Sequence, residues 1–462
     1  MKYRKYLSSD SVSLQEILIA RDLRQNKQRE YLNQYNLPLV VFTLNIVGPI
    51  KVFPLTIKTF KEGLRLINEV LSVNQFKIIK QQVNISKCGY EAYFVVDEKA
   101  ILVKQYLSQI EETFALGRLF DIDVLDKNGD KLSRCDENNT YRKCLICDKI
   151  AFECSRNRGH SIEEILDKEI SMMLDYFNDE YAIKLSKLSF KALCFEIKTT
   201  PKPGLVDLNN NGSHSDMDAD LFIKSATSLL PFFKEFVYLG INNSELAQCD
   251  IFDDLRALGI KAERAMYKAT NNINTHKGAI FIFSIVLATL GWLYAKRIDY
   301  SREVLIESIK SLTKNILRDF KNFDKKKKLS NGEKLYLKYN ILGIRGEALT
   351  GFSSVINNAV IKMEYHLNKG YSLNDSGVIT LLEIILLIDD TNLISRSDYK
   401  TLIQVKEKIN RFILSNSNDF ILFAHALDKE FIESNISPGG SADLLALTYF
   451  IHFFEQEVLK TC

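Results

Sequence analysis

Two hydrophobic periodicities divide the chain. Through about the first 130 residues, short runs rich in β-branched and aromatic residues sit between turn formers, and 39–46 (LVVFTLNI), 76–85 (FKIIKQQVNI), 91–97 (EAYFVVD) and 119–125 read as strands. The last of these runs into Asp126-Lys-Asn-Gly-Asp, a hairpin signal in which Asn128 and Gly129 can supply left-handed positions. Helical patterns flank the strands: 13–35 opens with the capping-box sequence Ser-Leu-Gln-Glu at Ser13, and 101–116 is a second helix. After about Asp175 long apolar-periodic segments take over, at 180–197, 218–238, 253–270, 278–296, 302–320, 376–388, 400–415 and 440–459, and almost nothing reads as a strand. The expected fold is an α+β N-terminal domain, residues 1–175, followed by a larger all-α domain, residues 176–462.

One helical segment, GAIFIFSIVLATLGWLYA at 278–295, is uncharged and long enough to cross a bilayer. It stands alone of its kind and directly follows the polar Asn274-Thr275-His276-Lys277, so it reads as the central, all-round apolar helix that a large helical domain needs. A chain of 462 residues exceeds a single core, which supports two domains. The balance of 61 basic against 58 acidic residues, net +3, gives no global field to recruit nucleic acid or an anionic membrane. The run Lys325 to Lys328 reads as a solvated loop. Eight scattered cysteines and an N-terminus without a signal-peptide core point to the reducing cytoplasm.

Five polar clusters interrupt the helical half. The segment TTPKPGLVDLNNNGSHSDMD, Thr199 to Asp218, collects Pro201, Pro203, Gly204 and Gly212 with Asp207, His214, Asp216 and Asp218, a set suited to a phosphate-rich, magnesium-bound substrate. Asn274 to Gly278 opens the apolar helix, where free N–H groups and the helix dipole favour an anion and Lys277 adds a charge. Gly343-Ile344-Arg345-Gly346-Glu347 sets an arginine and a carboxylate among glycines. Asp389-Asp390-Thr391-Asn392 offers consecutive oxygen ligands, and Pro438 to Asp443, with Gly439 and Gly440, could form a second anion nest at the last helix.

The motifs TPKPGLVD, NGSHSDMD, NTHKGAIF, GIRGEALTGF, DDTN and PGGSADLLA, in that order, closely resemble the triphosphoribosyl-dephospho-CoA synthase family across 180–462. The resemblance implies joining of ATP to dephospho-CoA: the ribose 2′-hydroxyl attacks the anomeric carbon of ATP, adenine leaves, and the triphosphate stays on the transferred sugar. It assigns Lys202, Lys277 and Arg345 to phosphates, Asp207, Asp216, Glu347 and Asp390 to magnesium or catalysis, His214 as a candidate base and His276 as a phosphate donor. Such chemistry suits these residue types, because positive charge builds on the sugar as adenine departs.

In the first half, Gly117-Arg118-Leu119-Phe120-Asp121-Ile122-Asp123 puts two carboxylates on one face of a strand, where they can hold magnesium against a substrate's phosphates. Arg21 and Arg24, with Gln28 a turn later, offer phosphate-binding groups, and Asn45 to Lys51 offers a turn followed by a cation. With LSR at Leu132 to Arg134 and CLIC at Cys144 to Cys147, these residues resemble the apo-citrate lyase phosphoribosyl-dephospho-CoA transferase family from residue 10 to about 170. That family, similar in its chemistry to nucleotidyltransferases, moves phosphoribosyl-dephospho-CoA onto a serine of the citrate lyase acyl carrier protein and expels pyrophosphate. The chain departs from the family pattern at Val47, Phe120 and Asp136 to Thr140.

Cys144, Cys147, Cys154 and His160 follow C-x2-C-x6-C-x5-H, a spacing that could bind a structural zinc; free buried thiols are the alternative. The basic Arg142, Lys143, Arg156 and Arg158 beside them suit nucleic acid, an acidic carrier protein or a polyphosphate. The two resemblances join in one expectation: a fused bifunctional transferase with Mg²⁺, using ATP and dephospho-CoA, with the carrier protein as partner and neither nucleic acid nor membrane. The equivalent malonate decarboxylase pathway and a non-catalytic carrier-binding protein with a zinc module are the rivals.

Overall fold

The computed structural model describes residues 2–7, 10–132, 143–321, 329, 331–415 and 419–459. Ser133, Arg134, Asp136 to Thr140, Arg142 and Lys325 to Lys328 therefore lie outside the described residues. The chain divides into two compact units, Met1–Asp179 and Glu180–Cys462.

The first unit is built on one antiparallel sheet, order β2-β3-β1-β4, from β1 (Leu39–Leu44), β2 (Lys77–Ser86), β3 (Gly89–Asp97) and β4 (Phe120–Leu125). All four strands lie within two residues or so of the sequence expectation. The strand period sorts the residues: Val40, Phe42, Phe94, Val96, Ile122 and Val124 face a core closed by α2 (Pro54–Val73), α3 (Ala100–Thr113) and the first half of α5 (Ile162–Lys198). On the opposite face α1 (Leu14–Tyr35) sets Tyr31 and Leu32 on Val41, Tyr93 and Leu125. Ser13 caps α1 as the sequence requires: its hydroxyl accepts the Glu16 N–H at 3.3 Å, and the Glu16 carboxylate accepts the Ser13 N–H at 2.9 Å. Helix α2 was not among the expected elements, although Pro54 at its first position and the buried series Leu55, Phe60, Ile67, Leu71 mark it. At the turn after β4 only Gly129 takes a positive φ, +91°; Asn128 stays out of the left-handed region because the Asp126 carboxylate accepts the N–H groups of residues 128 and 130 at 2.9 Å each and sets a tight turn. A short helix, α4 (Ala151–Arg156), precedes α5.

The second unit is helical. After the end of α5 come α6 (Ala219–Asn242), α7 (Phe252–Ala269), α8 (Lys277–Lys296), α9 (Arg302–Thr313), α10 (Asn331–Tyr339), α11 (Ile344–Leu349), α12 (Val360–Asn368), α13 (Leu373–Leu387), α14 (Thr391–Arg396), α15 (Tyr399–Leu414), α16 (Phe420–Glu433) and α17 (Gly439–Phe454). Helix α8 is the one helix among the described residues long and apolar enough to span a bilayer, and it is mostly buried: Ala279, Ile282, Phe283, Ile285, Val286, Leu287, Ala288 and Leu290 pack on every side into the core. That is the central core helix expected from its pattern. Helices α10, α11, α12, α14 and α16 were not anticipated; several are single or double turns whose apolar positions are too few to show a period. Their ends, with those of α8 and α17, carry the polar motifs.

Candidate functional site

The loop between α5 and α6 is organised from within. Asp207, 3% exposed, accepts three backbone N–H groups, from Lys202 at 2.9 Å, Asn209 at 2.7 Å and Asn210 at 3.0 Å. Its carboxylate therefore shapes the loop and does not line the cavity described below, contrary to the expectation of a metal ligand there. Asp218 caps α6 by accepting the Leu221 N–H at 2.8 Å. Asp428 of α16 holds the loop from outside, accepting the Gly204 N–H and the Asn210 side-chain amide at 2.9 Å each.

With the loop so fixed, a cavity of about 510 Å³ opens between the helix ends. Nine of the expected residues line it: Lys202, His214, Asp216, His276, Lys277, Glu347, Asp390, Gly439 and Gly440. Residues remote in sequence thus converge on one space, of the size small-molecule sites have. Arg345 does not join them; it lines a separate cavity of about 180 Å³ with Arg256 and Glu263, because the turn of α11 that aims Glu347 inward aims position 345 the other way. Glu196, Asp443 and Arg396 also line the large cavity and were missed as site residues. Asp443 had a signal, its place in the Pro438 to Asp443 motif; Glu196 looked like one more residue of a long amphipathic helix.

Most of these groups are engaged by one another. Asp390, 1% exposed, caps α14 through the N–H groups of Asn392 at 2.9 Å and Leu393 at 3.2 Å, and its other oxygen accepts the N–H and hydroxyl of Ser441 at 2.7 and 2.8 Å. The anion foreseen at the start of α17 is thus the chain's own carboxylate. Burial raises Asp390 against the pull of these hydrogen bonds. Gly440 permits the approach: a Cβ there would stand 3.2 Å from the Asp390 carboxylate. In the same way Asp443 accepts the Ala279 N–H at the start of α8, where a Cβ on Gly278 would collide with it at 1.9 Å. Burial first, then the charges of Glu196 and Asp390, hold Asp443 well above the usual carboxylate range. Lys202, 1% exposed, is paired with Glu196, whose carboxyl burial pushes up and the lysine pulls down. Glu347 accepts the Ser354 hydroxyl and is raised by burial. Lys277 pairs with Glu263 at 3.0 Å, and Asp389 with Lys406 at 2.8 Å.

The histidines differ. His214 is held at both nitrogens, Nδ1 by Arg396 at 3.0 Å and Nε2 by Ser437 at 2.9 Å. The guanidinium can only donate, so Nδ1 accepts and the proton sits on Nε2; burial and then Arg396 lower its pKa. A base at His214 would have to leave Arg396 first. His276, 2% exposed, lies at the end of a relay in which Thr275 donates to Ser225 at 2.6 Å and the Ser225 hydroxyl meets His276 Nδ1 at 2.7 Å. Its Nε2 is buried without a protein partner. Burial and the Lys202 charge hold His276 down at about 3, so the ring is neutral.

In the first unit, Asp121 and Asp123 stand side by side on the open face of β4, opposite Thr43 and Val41 of β1. Thr43 donates to Asp121 at 3.4 Å and Lys131 pairs with Asp123 at 2.7 Å. Partial burial and the Asp123 charge raise Asp121. Glu91 of β3 lies opposite Thr43 in the same row; Arg24 binds it at 2.7 Å and Tyr93 at 2.6 Å. It is a third carboxylate on this face that the alternation of β3 could have disclosed. Arg21 is exposed on α1, a turn before Arg24. Lys51, lowered by burial, donates to the Ile46 carbonyl within its own turn. Near it Glu169 of α5, 1% exposed, accepts the Val47 N–H at 3.1 Å and is pushed up to about 7 by burial.

Cys144, Cys147, Cys154 and His160 come together, with their ligand atoms all within 4.8 Å of one another, the one such cluster among the described residues.

Comparison with known proteins agrees with this division. Residues 182–461 match the CitG family, ATP:dephospho-CoA triphosphoribosyl transferase, and residues 12–176 match the CitX family, apo-citrate lyase phosphoribosyl-dephospho-CoA transferase. The chain is 34% identical to Protein CitXG of Haemophilus influenzae, over 96% of each chain, and 33% identical to Protein CitXG of Leuconostoc mesenteroides subsp. cremoris, over 96% of this chain and 97% of that one. It is 36% identical to the 2-(5''-triphosphoribosyl)-3'-dephosphocoenzyme-A synthase of Haemophilus ducreyi, over 66% of this chain and 98% of that one. The chain belongs to the CitG family and carries a CitX domain with it: a bifunctional transferase, as the two resemblances imply.

Proposed function

We propose that the helical cavity makes triphosphoribosyl-dephospho-CoA from ATP and dephospho-CoA, and that the open face of the sheet attaches phosphoribosyl-dephospho-CoA to a serine of the citrate lyase acyl carrier protein. The observation that carries the first assignment is the orphaned Nε2 of neutral His276, buried in a 510 Å³ cavity walled by Glu196, Asp390 and Asp443, and we assign the ring proton to it. A buried donor left unpaired costs about 1–3 kcal/mol unless a ligand accepts from it. A ribose hydroxyl or a phosphate oxygen supplies that acceptor.

Among the cavity carboxylates Asp390 is consumed as a double helix cap, while Glu347 and Asp443 are less committed. We assign Asp443 to proton transfer. With its pKa raised by burial and then by the charges of Glu196 and Asp390, it can give a proton to adenine as the glycosidic bond breaks, and its carboxylate can then take the proton of the attacking 2′-hydroxyl. Glu347 and the exposed Asp216, which line the cavity, would share Mg²⁺ with the triphosphate, with Lys277 and the start of α8 adding positive charge. Phe222 and Met217 give an apolar wall against which a purine can rest.

On the sheet, Asp121 and Asp123 would hold Mg²⁺ against the phosphates of that intermediate, and Arg21 and Arg24 would lie over its negative charge. The carrier serine then attacks phosphorus and pyrophosphate leaves. Mass spectrometry of apo-carrier incubated with ATP, dephospho-CoA, Mg²⁺ and this chain should show a gain of one phosphoribosyl-dephospho-CoA. A carrier that stays unmodified while adenine accumulates would reject the sheet assignment; absence of adenine would reject the cavity.

A further inference from the structure

Neither reaction uses the cysteine cluster, and its surroundings cannot hold themselves together. Between residues 143 and 160 Cys154 is the one buried side chain, so no apolar interior orders these eighteen residues. Yet the backbone is tightly wound. Lys143 bridges Ile150 in antiparallel fashion, the Cys144 N–H reaches the Lys149 carbonyl at 2.8 Å, and the Ile146 N–H points at Cys144 Sγ at 3.4 Å. Helix α4 then presents Cys154, and Gly159 turns the chain so close that a Cβ there would lie 2.9 Å from Cys154 Sγ, which returns His160 to the thiols.

The distances suit a tetrahedral ion. Bonds of about 2.3 Å to sulfur and 2.0 Å to nitrogen place neighbouring ligands about 3.5–3.8 Å apart. Cys147 Sγ lies 3.9 Å from Cys154 Sγ and 3.2 Å from His160 Nε2. Three thiols cannot all pair as disulfides, and 3.9 Å is far from a sulfur–sulfur bond.

We propose that Cys144, Cys147, Cys154 and His160 bind one structural zinc ion, which folds this module and braces the sheet beside it. Binding displaces three thiol protons to solvent and leaves a Zn(Cys)₃(His) centre of charge −1, next to Lys143, Lys149, Arg156 and Arg158. The brace has two ends. Arg118, just before β4, donates to the Lys143 carbonyl, and Ser161 caps α5, accepting the Glu164 N–H at 3.2 Å. Only this bracing role rests on the transferase reading; the metal site does not.

Elemental analysis of the full chain, purified without added metal, should give about one zinc per chain. Cys147→Ser and Cys154→Ser should lose it, while Cys88→Ser and Cys194→Ser, outside the cluster, should retain it. Chelator-stripped, reduced chain titrated with Co²⁺ should show thiolate charge transfer and the visible bands of tetrahedral cobalt, which tests the site without any variant. Zinc-free chain that takes up no cobalt, or zinc retained by Cys147→Ser, overturns the site. Stripped chain should release adenine at an unchanged rate and label the carrier several-fold more slowly; full-rate labelling overturns the brace.

Discussion

Asp121 and Asp123 stand on an open sheet face with one threonine and one lysine as partners, whereas Asp390 in the helical unit has all its acceptor positions taken by two helix ends. Both were singled out as metal-binding carboxylates, yet their surroundings differ in kind. On the sheet, an alternation two residues long aims both carboxylates at the face away from the core, where Thr43, Lys131 and the charge of Arg24 reach them. In the helical unit each polar motif ends a helix, and bringing those ends together lets one motif satisfy another: Asp390 with Ser441, Asp443 with the start of α8, Lys202 with Glu196. What this mutual capping leaves without a partner, His276 Nε2, or with one donor only, Glu347 and Asp443, is a better guide to chemistry than the motifs themselves.

Four substitutions sharpen that contrast. The largest effect is expected at the open site: Asp121→Ala should lower carrier labelling by about 10³-fold or more, as loss of an electrostatic partner to the transition state does, with adenine release unchanged. Labelling at the wild-type rate in the mass spectrum would remove the sheet from the reaction. Next, Asp443→Asn should slow adenine formation about 10²–10³-fold, the scale of a lost proton donor, while attachment of separately prepared intermediate proceeds normally. If both steps slow equally, Asp443 is holding the fold.

Asp390→Ala should act on stability first. It strands the N–H groups of residues 392, 393 and 441, and about 3–4 kcal/mol should disappear from the helical unit in chemical denaturation, with amide exchange accelerated at the starts of α14 and α17. Unchanged stability with lost adenine release would return Asp390 to the catalytic set.

The smallest effect is pH-dependent. Glu169 binds its proton more tightly in the fold, near 7, than at its ordinary 4.5, so its ionisation destabilises the first unit increasingly as pH rises from 4.5 to 7. Glu169→Gln keeps an acceptor for Val47 and removes that cost. It should stabilise the unit by at most about 3 kcal/mol at pH 8 and by almost nothing at pH 4. Denaturation midpoints that shift equally at both pH values would mean that Glu169 ionises without cost.

The strands were legible because a half-buried sheet prints its period directly on the chain, and the same rule put Asp121 and Asp123 together. The buried all-round apolar α8 was legible for a similar reason. Helix α2 was overlooked despite its 3.6-residue repeat, so there the signal existed; for α11 and α14, six residues each, no repeat fits within the helix. The cysteine spacing also predicted a cluster that the chain forms, since four ligands within seventeen residues need only a hairpin and one helical turn.

Amino-acid order alone therefore set the class of each half, the family, and the face on which the sheet carboxylates stand, because each depends on neighbours a few residues apart. Which of the helical motifs line the cavity, and which are spent capping one another, was decided by tertiary structure. Glu196, Asp390 and Asp443 lie far apart in the chain, and only the packing of α5, α14 and α17 brings their charges close enough to oppose one another. A carboxylate's role depends on how many donors reach it, and those donors arrive from helices whose sequence carries no mark of the meeting.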